Sequence, residues 1–192
     1  MALDATDTDE DDRLLARYGS GDPAAAGLVV ARFLPLAYRI GVRMLKDASQ
    51  ADDVAQEAMI RLFRMAPGWQ PGPAKVTTWL YRVTVNLCTD HLRKRPTLPL
   101  DAAQDVADGS ATAEDRLVAK DRSVALDLAL GDLPERQRLA VVLRHIEGLA
   151  NPEIAEVMGI GTEAVESLIA RGKRGLTAAL AGQRAALGYD DD

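Results

Sequence analysis

Arg82, Asn86, Thr89 and Arg93 recur at steps of three and four residues, so a helix sets them along one stripe. Lys94 and Arg95 follow at the end of that run, where the helix dipole favours cations. Guanidinium and ammonium groups hold phosphates, and a side-chain amide can read a base edge. A second set of donors, Ser167, Arg171, Lys173 and Arg174, stands toward the C-terminus. Both sets suit the binding of nucleic acid. Residues for bond-breaking chemistry are not evident. The chain has no G-x-x-x-x-G-K-[ST] loop, and His91 and His145 are isolated. No catalytic residue, no cofactor and no metal site is therefore expected.

The element expected to carry the second set spans 151–170, NPEIAEVMGIGTEAVESLIA. Asn151 is expected to cap a short helix, with Pro152 in its first turn, where a missing N–H costs nothing. Ile154, Ala155, Val157 and Met158 give that helix an apolar face. Gly159-Ile160-Gly161 makes the turn, since glycine tolerates a left-handed backbone. Thr162 is expected to cap a second helix that buries Val165, Leu168 and Ile169. Ala155 is small where the two helices should cross. This is the spacing of a helix-turn-helix, whose second helix enters the major groove of DNA.

A chain of 192 residues with 47% apolar and 4% aromatic content holds aliphatic cores in one domain or two small ones. Apolar residues fall at helical spacing, and no segment alternates with period two, so the fold class expected is all-α. No apolar run approaches the ~20 residues that span a bilayer. The N-terminus lacks the basic-then-apolar order of a signal peptide. Cys88 is the only cysteine, which excludes an intrachain disulfide and suits a reducing cytoplasm.

The net charge of −6 conceals an uneven distribution. Residues 1–12, 101–115 and 190–192 hold 14 of the 29 acids and no base, leaving 15 acids against 23 bases, a net of +8. The helical bodies are thus basic, as a nucleic-acid surface requires. Along the chain, residues 1–12 are expected to form a disordered acidic tail, 13–95 an N-terminal helical domain and 96–117 a flexible acidic linker. Residues 118–186 should form a C-terminal helix-turn-helix domain, and 187–192 a second acidic tail. Asp22-Pro23 is expected to open one helix, Pro35 to kink or split it, and Ser49 with Asp52 to open the next, which runs to about Met65. The loop rich in Pro and Gly from Trp69 to Thr78 precedes a helix that starts near Thr77 and stops before Pro96, and Leu133-Pro134 restarts a helix in the second domain.

In the helix from Ser49 to Met65, Val54, Ala58, Leu62 and Met65 face a core. Asp53, Gln56, Glu57, Ile60 and Arg61 share another face, which on its residues alone reads as ordinary solvated surface. In the following helix Trp79 and Tyr81 can stack on bases or pack a core, the second being the expectation for Trp79.

Taken in order, DDVAQEAMIRLF, TTWLYRVTVNLCTDHLRKRP and LPERQRLAVVLRHIEGLANPEIAEVMGI resemble a bacterial sigma factor of the extracytoplasmic-function type, over about 11–180. The resemblance implies that the first domain binds core RNA polymerase and the −10 promoter element, and the second the −35 element. It implies that Asp53, Gln56 and Glu57, with Ile60 and Arg61 beside them, contact the polymerase clamp. Thr78, Trp79, Leu80, Tyr81, Arg82 and Asn86 match the family's T-W-L-Y-R-x-x-x-N motif. With Lys75 in the preceding loop and Arg93, Lys94 and Arg95 at the end, they would hold the single-stranded −10 element. Thr162, Glu163, Glu166, Ser167, Arg171, Lys173 and Arg174 would form the −35 reader. Two positions depart from the family. Glu166 and Leu168 stand where basic residues are common, and Lys75 to Thr77 lack the aromatic residue often found there. The implied partners are core RNA polymerase, promoter DNA and an anti-sigma factor, with no membrane insertion. The alternative is an operator-binding regulator acting without stable core polymerase binding; it leaves the Asp53 face and the TWLYR segment without a role.

Overall fold

The computed structural model describes residues 5–72, 75–94 and 124–181, with side chains from residue 9 to 93 apart from 73–74, and throughout 124–181. All regular structure among them is helical. The first domain comprises α1 (Ala5–Gly19), α2 (Ala25–Leu45), α3 (Ala48–Met65), a 3-10 turn (Ala66–Gly68) and α4 (Val76–Lys94). The second comprises α5 (124–132), α6 (Glu135–His145), α7 (Asn151–Met158) and α8 (Thr162–Leu180). The expected linker at 96–117 and acidic tail at 187–192 lie outside the described residues.

In the first domain α2 is the spine. Val29, Phe33, Leu36, Ala37, Ile40 and Met44 fall on one helical stripe, and all are buried. Val54, Ala58 and Leu62 of α3, Val76, Leu80 and Tyr81 of α4, and Leu15 of α1 close over them. Met65, expected on the α3 core stripe, is only partly buried. Tyr18 and Phe63 meet with ring centroids 4.8 Å apart, tilted by 51°. By length and composition α2 is also apolar enough to cross a membrane. Its apolar stripe is committed to this core instead, and Arg32 and Arg39 interrupt it with ion pairs.

Several boundaries differ from the sequence reading for identifiable reasons. The acidic run at 1–12 was expected to be disordered, yet the chain is helical from Ala5. Asp11 and Asp12 are both buried, at 4% exposure. Asp11 accepts Arg32 Nε at 2.6 Å and Nη2 at 2.9 Å, and Asp12 Oδ1 accepts the Val76 N–H at 2.9 Å. Burial pushes the Asp12 carboxyl above its usual value, and the Val76 N–H partly offsets this. These partners are remote in sequence, so local composition does not announce them. Asp22 does not cap α2. Its carboxylate takes Arg17 and the Ala24 N–H, and the helix begins two residues past Pro23. Pro35 does not split α2, which continues to Leu45. Pro35 and Ala31 are both exposed, so the carbonyl that loses its N–H partner faces water. Asp47, not Ser49, caps α3, its side chain accepting the Gln50 N–H at 3.1 Å. Lys46 at φ 56° ends α2 in the left-handed region, and the extended Asp47 that follows has the geometry of an N-cap.

The second domain is thinner. Leu139, Val141, Val142 and Leu143 of α6, Leu149, Ile154 and Val157 form its centre with Val165 of α8. Gly159 takes φ 63° as the turn requires, and the Ile160 N–H returns to Ala155 O at 3.1 Å. The caps differ by one residue from expectation. Ala150 is the N-cap of α7, its N–H donating to Glu153 Oε2 at 2.8 Å, and Asn151 is the first helical residue. Gly161 is the N-cap of α8, at an ordinary φ of −73°, and Thr162 is its first residue. Leu168 and Ile169 are only partly buried. Gly172 is buried where α8 crosses α6; a Cβ there would lie 2.5 Å from Val141 Cγ2 and 3.2 Å from Gln137 O.

The domains touch. Arg138 of α6 donates to Met44 O at 3.2 Å, satisfying a carbonyl at the C-terminus of α2. Lys46 Nζ donates to Gly131 O at 2.6 Å.

Candidate nucleic-acid and protein interfaces

On α3, the buried stripe leaves Asp53, Gln56, Ile60 and Arg61 exposed and Glu57 half-buried on the opposite side. Glu57 and Arg61 pair at 2.8 Å one turn apart, and Gln56 Nε2 donates to Asp52 Oδ2 at 2.7 Å. Ile60 is 43% exposed among these polar groups. The five residues predicted as one surface do share one.

On α4, Arg82, Asn86 and Arg93 are exposed on one stripe. Thr89, expected with them, is half-buried and its hydroxyl is engaged by Val85 O at 2.9 Å. Arg93 is 3.5 Å from Asp90, a distance at which an exposed pair holds little. The Lys94 side chain and Arg95 lie outside the described residues. Trp79 is partly buried against the core, as expected.

The start of α4 has a different environment. Thr77, Thr78 and Tyr81 are buried, and with Lys75 they line a small cleft closed on its far side by Gly148, Leu149 and Glu153 of the second domain. Tyr81 OH donates to Glu147 Oε2 at 2.9 Å, and Arg39 Nη2 and Nε donate to the same carboxylate at 2.8 and 3.3 Å. Lys75 Nζ pairs with Glu153 Oε1 at 2.8 Å. Burial and then the Glu147 charge push the Tyr81 phenol far above its usual value. The bond to Glu147 raises Arg39. Burial alone would raise Glu153, but the Lys75 and Ala150 hydrogen bonds outweigh it and hold the carboxyl below its usual value. Thus Lys75 and Thr78 do not share open surface with Arg82, Asn86 and Arg93. Sequence reasoning missed Arg39, Glu147 and Glu153. Their partners lie 66 to 108 residues away, so no local pattern marks them.

On α8, Thr162, Glu163, Glu166, Arg171, Lys173 and Arg174 are exposed and Ser167 is half-buried. Asn151 Nδ2 of the first helix of the motif lies 3.4 Å from Glu166 Oε1, a long and exposed contact. His145 lies near Lys173 and Arg144; burial first, then these two cations, hold its imidazole below its usual value. Among the described residues, no group of three or more His, Cys, Asp or Glu could hold a metal ion. Cys88 is buried, and burial, with the Glu135 charge behind it, pushes the thiol up to about 12. It is held as a protonated packing group, without the thiolate that redox chemistry needs.

A helical domain with a polar α3 face and a basic α4 stripe, followed by a helix-turn-helix whose second helix is exposed and basic, defines a two-domain DNA-binding protein. Residues 29–96 match Sigma-70 region 2, and residues 123–176 match Sigma-70 region 4. The ECF RNA polymerase sigma factor SigW of Bacillus subtilis (strain 168) is 33% identical over 168 residues, covering 81% of this chain and 89% of that protein. The structure of CnrH in complex with the cytosolic domain of CnrY superposes with TM-score 0.66 at 27% identity, over 90% of this chain and 97% of that one. The sigma factor RpoE of Bartonella quintana, solved with the anti-sigma factor NepR, shares the fold at TM-score 0.64 and 19% identity, over 79% and 93%. The chain belongs to the extracytoplasmic-function sigma factors of the sigma-70 family.

Proposed function

We propose that this chain directs promoter-specific transcription initiation. In this reading it binds core RNA polymerase through Asp53, Gln56, Glu57, Ile60 and Arg61, and the −10 element through Lys75, Thr78, Arg82, Asn86, Arg93, Lys94 and Arg95. The −35 element is read by Thr162, Glu163, Glu166, Ser167, Arg171, Lys173 and Arg174. The observation that carries the reading is the presence, within one four-helix domain, of two separate exposed faces: the mixed α3 face and the Arg82/Asn86/Arg93 stripe of α4. An operator-binding regulator gives the first of these nothing to do.

No step in this function requires the chain to break a bond. Strand opening draws on binding: an unstacked base held in a pocket offsets the few kcal/mol, roughly, of lost stacking. Arg82 and Arg93 supply phosphate contacts and therefore salt-dependent affinity. On α8, Glu166 is exposed and can accept from cytosine N4. The protein acts in the cytoplasm under an anti-sigma factor, consistent with the capture of the similar CnrH by a cytosolic domain.

Run-off transcription with purified core polymerase and promoter fragments from the same genome tests this. Transcripts that need the protein support it; tight DNA binding without core association or transcripts moves the assignment to an operator-binding regulator. Within that assay Asn86→Ala should impair promoter opening and leave core binding intact. Arg171→Ala should weaken −35 recognition more than −10 recognition, and equal losses would make Arg171 a structural residue only.

A further inference from the structure

The first residue of α4 is held by a helix far from it in sequence. Lys75 O accepts the Trp79 N–H at 3.1 Å, so Lys75 stands at the N-cap position and Val76 carries the first amide that the helix cannot satisfy itself. An N-cap residue usually brings its own side-chain acceptor, but an ammonium only donates. A cation there also meets the positive end of the helix dipole. Asp12 of α1 makes good both deficits. Its Oδ1 accepts the Val76 N–H at 2.9 Å, and its charge is felt by Lys75. Burial raises this carboxyl, the Val76 N–H lowers it, Asp11 and Asp9 raise it, and Lys75 lowers it. The acceptor is firmly placed. Asp12 is buried, its neighbour Asp11 ties α1 to Arg32 of α2 at 2.6 Å, Leu15 is in the core and Tyr18 meets Phe63 of α3. α1 is thus fixed on α2 and α3 independently of its bond to α4.

We propose that Asp12 is a positioning residue for −10 recognition: it caps α4 from another helix and so frees position 75 to carry a phosphate-binding lysine. The proposal rests on the assignment of Lys75 to the −10 strand. A serine or aspartate at 75 would cap α4 locally but leave no cation at that point. Placing the acceptor on α1 separates the two tasks. The ammonium so presented already holds one anionic oxygen, Glu153 Oε1 at 2.8 Å, and a strand phosphate in the holoenzyme offers it the same kind of acceptor.

The test uses the full chain bound to core polymerase and a forked promoter fragment whose −10 segment is single-stranded. Affinity is measured across a salt series, since each lost phosphate contact makes the plot of log affinity against log salt shallower by about 0.7 on a single strand. Lys75→Ala should reduce the slope by that amount. Asp12→Ala should do the same, and the double variant should fall no further than Lys75→Ala alone, because both remove one contact. Asp12→Asn should keep the wild-type slope, since its amide oxygen can still accept the Val76 N–H. A wild-type slope in Lys75→Ala or Asp12→Ala, additive losses in the double variant, or an Asp12→Asn slope as low as that of Asp12→Ala overturns the proposal. Should Asp12→Ala lose helix content by circular dichroism, Asp12→Ala combined with Lys75→Ser decides. The serine cap should restore the helix while the slope stays at that of Lys75→Ala, and helix content that does not return overturns the transposed cap. The −10 assignment fails separately. Lys75→Ala and Asn86→Ala both leaving strand affinity and slope unchanged would sink that assignment, whereas effects of both with none from Asp12→Ala remove only the role of Asp12.

Discussion

The two domains are built at different depths. The first surrounds Phe33, Ile40, Leu45, Leu62 and Leu80 completely, on a 21-residue helix whose whole length is packed. In the second, the 19-residue α8 buries only Val165 and Gly172, and part of the domain's satisfaction comes from its neighbour through Arg138 and Glu147. The difference suits their loads. In the proposed function, a surface that holds a melted strand gains from a rigid scaffold beneath α4. A helix that reads intact duplex needs one face free along its length, and a helix so exposed has few side chains left to anchor it.

The contrast can be broken from either side. The largest effect should come from Phe33→Ala, which removes a fully buried ring at the centre of the first domain. A loss of about 3–5 kcal/mol is expected, read by urea denaturation, and a loss below that range would mean the first core is less close-packed than its burial implies. Gly172→Ala should cost about 1–3 kcal/mol by overpacking α8 against Val141 and Gln137. Its mark should be faster amide exchange in α6 and α8 with α3 unchanged. Exchange rising equally in α3 would show that the thinner domain does not yield by itself.

Much of this contrast was written in the sequence. The 3.6-residue periodicity places α2, α3 and α4 and picks Val54, Ala58 and Leu62 as core, because each helix buries one face against a continuous apolar neighbour. The helix-turn-helix was legible because Gly159 must be left-handed there. Helix starts were less so. Ser49, Asn151 and Thr162 are good caps by composition, yet Asp47, Ala150 and Gly161 hold the cap positions. Cap choice depends on how the preceding helix delivers the chain, as Lys46 delivers Asp47. The α3 face and the α8 donors were visible as surface, because exposure follows from periodicity. The covering of Lys75, Thr78 and Tyr81 was not, because the acids responsible belong to another domain.

Smaller effects sharpen the comparison. Cys88 sits in the deep core with its thiol raised, so alkylation by iodoacetamide at neutral pH should wait for unfolding of the first domain. Labelling of the native protein at the rate of an exposed thiol would contradict that packing. The domain contact should respond to acid. The folded-state value of Glu153 lies below its ordinary 4.5, so its contribution is complete above 4.5 and is lost as pH falls through the folded value. Energy transfer between dyes at Arg64→Cys and Ala178→Cys, both exposed, should therefore hold steady from neutral pH down to about 4.5 and decline below it, and less so in Glu153→Gln. A decline that begins well above 4.5 would point to a different group.

The bond from Asp12 to the Val76 N–H joins positions 64 residues apart. The ribosome makes α1 before α4, so this anchor does not exist until Val76 has emerged. Asp11 of α1 can pair with Arg32 once α2 is made, but the bond to α4 closes a far longer loop, with an entropic cost that local helix formation avoids. The fastening of α1 is thus completed only after a helix made later is in place.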